Sequence, residues 1–278
     1  MTLVAVWRTE NRLMAVADTR IIRSAGNVLT EHGPKLLPLR VRGRQPGPSG
    51  FFNRDAFQFD IGFAYSGATL SALSAHALAG ALLGNLVGQI DTPPPSMNEI
   101  AFFIGGAAAD YMREVGQLTG NSALFAAVVF GFCHATGRLR GFEIKPRLNQ
   151  TPFACDIIEH DLQQNNSIVI IGSCPDLVQQ RIEVNRSAEV ARGDTHPVLN
   201  IDRPTRALQA LIDEAADPSV GGMIQQGWAT EAGFELAARM QPIQPRPPSP
   251  RNAGLFVLGF DIMDMQQVGG YMISLTGR

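Results

Sequence analysis

Residues 3–18 read Leu-Val-Ala-Val-Trp-Arg-Thr-Glu-Asn-Arg-Leu-Met-Ala-Val-Ala-Asp. Two apolar runs, LVAVW and LMAVAD, flank a polar turn at Thr9 to Arg12, the signature of a β-hairpin. A second hairpin is predicted around Ser24-Ala-Gly-Asn27, ending in Lys35-Leu-Leu-Pro-Leu39. Residues 40–57 are basic and rich in Gly, Pro and Phe, and read as a loop; FQFDIGFAYSG then reads as a strand running into a turn. The Ala- and Leu-rich segment 68–86 predicts a long helix. After the DTPPPS breaker, a second helix is predicted from Met97 to Gly116, capped by Ser96. Two strands around a turn at Ala135 to Gly137 follow, then a strand at 167–173 and helical patterns at about 175–190 and 204–216. A strand starting near Gly222 turns at Glu231-Ala-Gly233. The Pro-rich stretch 241–252 reads as a loop or linker, and the tail after it as two further strands. Strands, two helices, strands, two helices and strands make a blockwise order that argues for α+β layers and against an alternating βαβ fold.

Composition narrows the function classes. The 278 residues are 45% hydrophobic and 17% charged, with a net charge of −2, so no basic excess draws the chain to a phosphate backbone. Three cysteines without a CxxC pair fit a reducing compartment better than a disulfide framework. The five histidines form no HExxH or other metal-ligand spacing. No GxGxxG or GxxxxGK[ST] motif supports nucleotide binding, and no cofactor is expected. MTLVAVWRTE has neither the basic region nor the long apolar region of a signal peptide. Residues 61–90 lack any formal charge, but Ser, Gly, His, Asn and Gln interrupt them before 18 consecutive apolar residues accumulate. A cytoplasmic protein without a membrane span is expected, its first long helix buried inside the fold or against other subunits.

Thr2 carries the chemical signal. Once Met1 is removed, it bears both a hydroxyl and a free α-amine, whose ordinary pKa near 8 suits a base at neutral pH. A threonine hydroxyl beside its own amine is a known way of activating a nucleophile. Met-Thr alone is common, so the case rests on residues further along the chain. Asp18-Thr-Arg20 stands sixteen residues after Thr2, and Lys35-Leu-Leu-Pro-Leu seventeen residues after Asp18. Ala64-Tyr-Ser-Gly67-Ala opens the first long helix, Ile171-Gly-Ser173 ends a strand before a helix, and Asp217-Pro-Ser-Val-Gly221-Gly precedes a strand.

Taken together, these segments resemble proteasome β-type subunits and the related HslV-like N-terminal nucleophile hydrolases, the bacterial proteasome homologues among them. The resemblance covers roughly residues 2–235. It places Lys35 one residue late, which requires a one-residue insertion between Gly26 and Pro34, and it finds Val220 where the family has Ser, with Ser219 next to it. What it implies is a single domain over 1–278 with the four-layer αββα sandwich, extended by the Pro-rich insertion and the C-terminal strands. By this resemblance Thr2 is the nucleophile of a threonine peptidase and Lys35 the adjacent ammonium. Asp18 holds that ammonium, the Gly67 N–H meets the oxyanion, and Ser173 and Asp217 orient the Thr2 amine. Ile22, Tyr65, Thr69 and Leu73 fall where the first specificity pocket lies, which implies an uncharged preference. The partners implied are copies of the same chain in a ring or stacked rings, a polypeptide substrate and an ATP-dependent unfoldase. Two rival functions stay open: a ring-forming protein that has lost activity, to which Val220 and the late Lys35 point, and an amidohydrolase of a small molecule.

Overall fold

The computed structural model describes residues 2–23, 27–148, 153–164, 167–193, 202–242, 253–262, 267–268 and 271–273. In chain order the first elements are β1 (Leu3–Thr9), β2 (Arg12–Asp18), β3 (Ile21–Ile22), β4 (Val28–Thr30), β5 (Leu36–Gln45) and β6 (Arg54–Gly67). Then come α1 (Thr69–Leu83), β7 (Leu86–Val87), α2 (Met97–Thr119), β8 (Phe125–Cys133), β9 (Arg138–Arg147), β10 (Ala154–His160) and β11 (Ile168–Gly172). Helices α3 (Pro175–Ala191) and α4 (Arg203–Asp213) precede β12 (Ile224–Thr230), β13 (Gly233–Ala237) and β14 (Arg239–Pro242). The short strands β15 (Ala253–Val257), β16 (Phe260–Asp261), β17 (Gln267–Val268) and β18 (Tyr271–Met272) complete the series.

This is a strand-rich fold of mixed α and β elements. One sheet has the order β11-β1-β2-β12-β13 and the other β10-β9-β8-β6-β5-β7. Three apolar clusters account for the packing. The first lies between β5, β6, β8 and β9 and the helices α1 and α2, with Phe63, Tyr65, Ala75, Ile104 and Ile144 among its buried members. The second lies between β1, β2 and β12 and the helices α3 and α4, around Trp7, Met14, Val178 and Leu208. The third is shared by the two sheets, where Val6 and Ala15 of one meet Val128 and Phe130 of the other. Strands β1 and β2 therefore bury both faces, which is why they read as continuous apolar runs rather than alternating ones.

Local chemistry sets the helix starts. The Ser96 hydroxyl accepts the Glu99 N–H, and the Glu99 carboxylate accepts the Ser96 N–H, a reciprocal cap on α2. Helix α1 presents Ala72, Ala75 and Ala79 to its sheet and leaves Leu70 and Leu82 exposed. On the neighbouring α2, Phe102 and Phe103 are exposed as well.

The structure corrects three expectations. Much of the basic segment 40–57 is strand, not loop: β5 continues to Gln45 and β6 begins at Arg54. Arginines alternate there with inward Leu39, Val41 and Gly43, and Arg40 and Arg42 pair across the hairpin with Asp60 and Asp55. Second, the tail after 252 forms four short strands rather than two. Third, β10 was not expected; it is a half-buried edge strand paired with β9. Of the Pro-rich stretch, residues 241–242 end β14 and 243–252 lie outside the described residues, as do 24–26 of the second predicted turn.

Candidate active site

Thr2 sits where β1 begins, beside the end of β11, with Leu3 opposite Gly172. Its carbonyl accepts the Ser173 N–H at 2.9 Å and the Ser66 hydroxyl at 3.0 Å. Gly172 has φ +113, and a Cβ there would collide with the Thr2 carbonyl oxygen, so this turn admits only glycine. One residue beyond Ser66, Gly67 has φ +114, and its absent Cβ would fall 2.6 Å from the Leu124 carbonyl oxygen. The first glycine lets backbone approach Thr2 more closely than any side chain would permit, and the second does the same for β6 against the start of β8.

The carboxylate of Asp18, at the end of β2, collects donors from every side. Oδ1 accepts the Leu3 N–H at 3.0 Å, and Oδ2 accepts the N–H groups of Gly221 at 3.0 Å and Arg20 at 3.2 Å. Lys35 Nζ donates to both oxygens at 3.0 Å and places its remaining proton on the Arg20 carbonyl. Neither side chain has any solvent exposure. Burial pushes the Asp18 carboxyl upward, against the pull of Lys35 and the two N–H donors. Burial also pushes the Lys35 ammonium downward, against the attraction of Asp18. The result is an ammonium that yields its proton more readily than an ordinary lysine, held by a carboxylate that also takes the N–H following Thr2.

Both sheets hold the backbone of Lys35. From β12, Gln225 Oε1 accepts the N–H groups of Lys35 and Leu36 at 2.9 Å, and its Nε2 donates to the Gly33 carbonyl. From β6, the Tyr65 hydroxyl donates to the Pro34 carbonyl at 2.8 Å. The seventeen-residue interval is taken up by a β-bulge: pairing of β3 with β4 steps from Ile21 opposite Thr30 to Ile22 opposite Val28, leaving Leu29 over.

A second string of polar groups lies on the other side of Thr2. The Ser173 hydroxyl meets the Ser219 hydroxyl at 2.9 Å, and Asp217 Oδ1 accepts both the hydroxyl and the N–H of Ser219. Cys174 Sγ donates to Asp217 Oδ2 at 2.9 Å. Burial disfavours the Asp217 carboxylate, but the hydrogen bonds from Cys174 and Ser219 outweigh it and hold its pKa below the usual range. Val220 does not face this string; it packs into the cluster under α3 and α4. The serine of the 217–221 segment thus sits one position before the expected one. Arg20 braces the segment, bonding the carbonyls of Pro218 and Val220 while paired with Glu31.

The Thr2 carbonyl is therefore bonded to Ser66 and to Ser173, from which the string runs on to Ser219 and Asp217, while the Asp18–Lys35 pair holds the next residue, Leu3. Of the four pocket residues, Tyr65 is fully buried, with burial pushing its phenol up to about 12 while Thr69 bonds it. Ile22 and Leu73 are half-buried, Ile22 in β3 and Leu73 against the α1–α2 cluster. Sequence reasoning missed Gln225 and Cys174, neither of which belongs to a recognisable motif, and it gave Ser66 no role although the residue lies in the Ala64–Ala68 segment. Among the described residues, no three His, Cys, Asp or Glu side chains converge on a metal-sized site. No helix among them is long and apolar enough to cross a membrane.

No family model matches the chain, and no curated protein matches it. Solved structures do. A Gly-1 mutant of Anbu from Hyphomicrobium sp. strain MC1 aligns with TM-score 0.56 and 18% identity over 85% of this chain and 84% of that one. Anbu, described as an ancestral beta-subunit, from Yersinia bercovieri aligns with TM-score 0.53 and 16% identity over 85% and 86%. The Anbu complex of Pseudomonas aeruginosa, solved as a helical assembly, gives TM-score 0.56 and 14% identity over 85% and 87%. These matches correct the resemblance drawn from the motifs: the similar solved structures are Anbu proteins, a proteasome-related group distinct from HslV. At such identities what this chain shares with them is the fold.

Proposed function

We propose that this chain is an N-terminal nucleophile hydrolase that cleaves peptide bonds through an acyl-enzyme on Thr2, within an assembly of its own copies. The observation that carries this reading is the unexposed Asp18–Lys35 pair, bonded to the N–H that follows Thr2. A buried ion pair is a poor source of stability, so its position beside a small hydroxyl residue calls for another use. Once the residue before Thr2 is removed, the freed amine takes the hydroxyl proton through a water, and Oγ attacks the substrate carbonyl. Lys35 stabilises the developing alkoxide, and Asp18 holds Lys35. The tetrahedral oxyanion is met by the Gly67 N–H. The departing amine takes the proton back, and water then attacks the ester to release the second product and regenerate Thr2. Ser173, Ser219 and Asp217 orient the amine.

Three apolar clusters, helices to sheet, sheet to sheet and sheet to helices, support describing the fold as the four-layer αββα sandwich of this chemistry. The exposed Leu70, Leu82, Phe102 and Phe103 on adjacent helices support assembly, since a monomer gains nothing from such an apolar face. The Pseudomonas aeruginosa Anbu complex is a helical assembly, which points the same way. Two observations support an active protein over an inactive one: Lys35 reaches Asp18 despite the longer interval, and Ser219 bonds Ser173 beside Val220.

The test is the intact mass of the protein before and after an electrophilic peptide inhibitor, with N-terminal sequencing. The expected result is a chain starting Thr-Leu-Val, one adduct per chain on Thr2, and no adduct on Thr2→Ala. An active protein that still begins Met-Thr overturns the mechanism.

A further inference from the structure

We propose that Cys174 is a positioning residue of this site, its thiol holding the outer oxygen of Asp217 so that the string Asp217–Ser219–Ser173 stays fixed beside Thr2. The inference rests on the function proposed above. Asp217 Oδ1 is committed to Ser219, whose N–H and hydroxyl reach it at 2.7 and 2.6 Å. That leaves Oδ2, and the Cys174 thiol takes it at 2.9 Å. Without that donor, the carboxylate is tethered by one oxygen and free to turn about its final torsion, carrying Ser219 with it.

Two features show that Cys174 is not there for the backbone. It sits at φ 51 and ψ 45, the left-handed region, where glycine or asparagine is the residue of least strain. It also precedes Pro175 at the start of α3 without capping the helix with its side chain. The left-handed kink swings Cβ away from the helix and toward the loop between α4 and β12, where Asp217 lies. The thiol therefore joins the β11–α3 junction to a loop 43 residues away. Among the described residues, the charged or titratable groups about Asp217 include this thiol from the α3 side and Arg20, which reaches the same loop through the Pro218 and Val220 carbonyls.

Cys174→Gly and Cys174→Ser separate a hydrogen-bonding role from a structural one. Glycine removes the donor while relaxing the left-handed backbone; serine keeps a donor. The readouts are the Asp217 carboxyl titration by carbon NMR, kcat and KM for a peptide substrate, and Tm. In Cys174→Gly the Asp217 midpoint should rise, because a donor to the ionised form is lost. Its kcat should fall about tenfold with KM little changed and Tm not lowered, and Cys174→Ser should restore both midpoint and kcat. A midpoint unchanged in Cys174→Gly overturns the contact, and a shifted midpoint with unchanged kcat overturns the positioning role. Wild-type turnover that survives Thr2→Ala overturns the hydrolase reading instead, and the midpoint then still decides whether the thiol holds Asp217.

Discussion

Asp18 and Glu189 are both buried carboxylates bound by cationic side chains, yet their surroundings are built to different ends. Asp18 takes backbone N–H groups from Leu3, Gly221 and its own neighbour Arg20 as well as the Lys35 ammonium, so three distant segments meet on one carboxylate. Glu189 on α3 is held by arginine side chains of one neighbour, Arg203 and Arg206 of α4. Their protonation moves in opposite directions. Burial dominates at Asp18 and raises its pKa; at Glu189 the hydrogen bond from Arg203 dominates and lowers it. The helix pair thus uses its ion cluster to strengthen a joint, whereas the sheet ends hold a charge pair in place at an electrostatic cost. On the function proposed above, the second arrangement is the one that stands beside the reacting group.

The sharpest way to break this contrast is Lys35→Ala. Turnover should fall by at least about a thousandfold. Stability in urea should drop by about 3–5 kcal/mol, because the Asp18 charge is left buried and unpaired. The double variant Asp18→Asn/Lys35→Met should regain much of that stability and none of the activity. Recovered turnover in the double variant would show that the pair is structural. Next in size is Arg203→Met, expected to cost about 3 kcal/mol while kcat stays near wild type at temperatures where the protein is folded. Lost activity there would erase the distinction between the two regions.

A pH comparison is smaller and tests sign. With its folded-state pKa lowered, Glu189 contributes stability that is complete above the ordinary glutamate value and disappears as pH falls through the folded value. The stability gap between wild type and Glu189→Gln should therefore be full at neutral pH and shrink below about pH 4, as read by denaturant unfolding. The smallest effect is expected from Tyr65→Phe. It removes the hydrogen bond to the Pro34 carbonyl, costs about 1 kcal/mol and lowers kcat by a few fold.

How much of this could be read in advance depended on whether a signal sat in side chains or in backbone. The opening hairpin, both long helices and the cap at Ser96 were legible because apolar runs and capping residues are local. The outer half of the β5–β6 hairpin was not. Its alternation is carried by Arg40, Arg42 and Arg44 facing out against Leu39, Val41 and Gly43, and the Asp55 and Asp60 partners lie on the other strand. Basic composition with Gly and Pro nearby masks such a pattern. Within the site, the resemblance of the short motifs singled out Thr2, Asp18 and Lys35, of which Asp18 and Lys35 do meet. The N–H donors of Leu3 and Gly221 have no sequence signature, and Gln225 clamps Lys35 from 190 positions away. Ser219 could not be preferred over Val220 until the turn showed which of them faces Ser173.

The span of chain that meets at Asp18 has a consequence for biosynthesis. Thr2 leaves the ribosome well before Gly172 and Ser173, so its seat against them exists only after β11 is made. The Gly221 donor to Asp18 arrives 203 residues after the carboxylate it serves. Strand β2, paired with β12, must wait equally long for its neighbour. On the function proposed above, a chain still being translated therefore carries Thr2 without its partners, which arrive only once β11 and the 217–221 segment have been made.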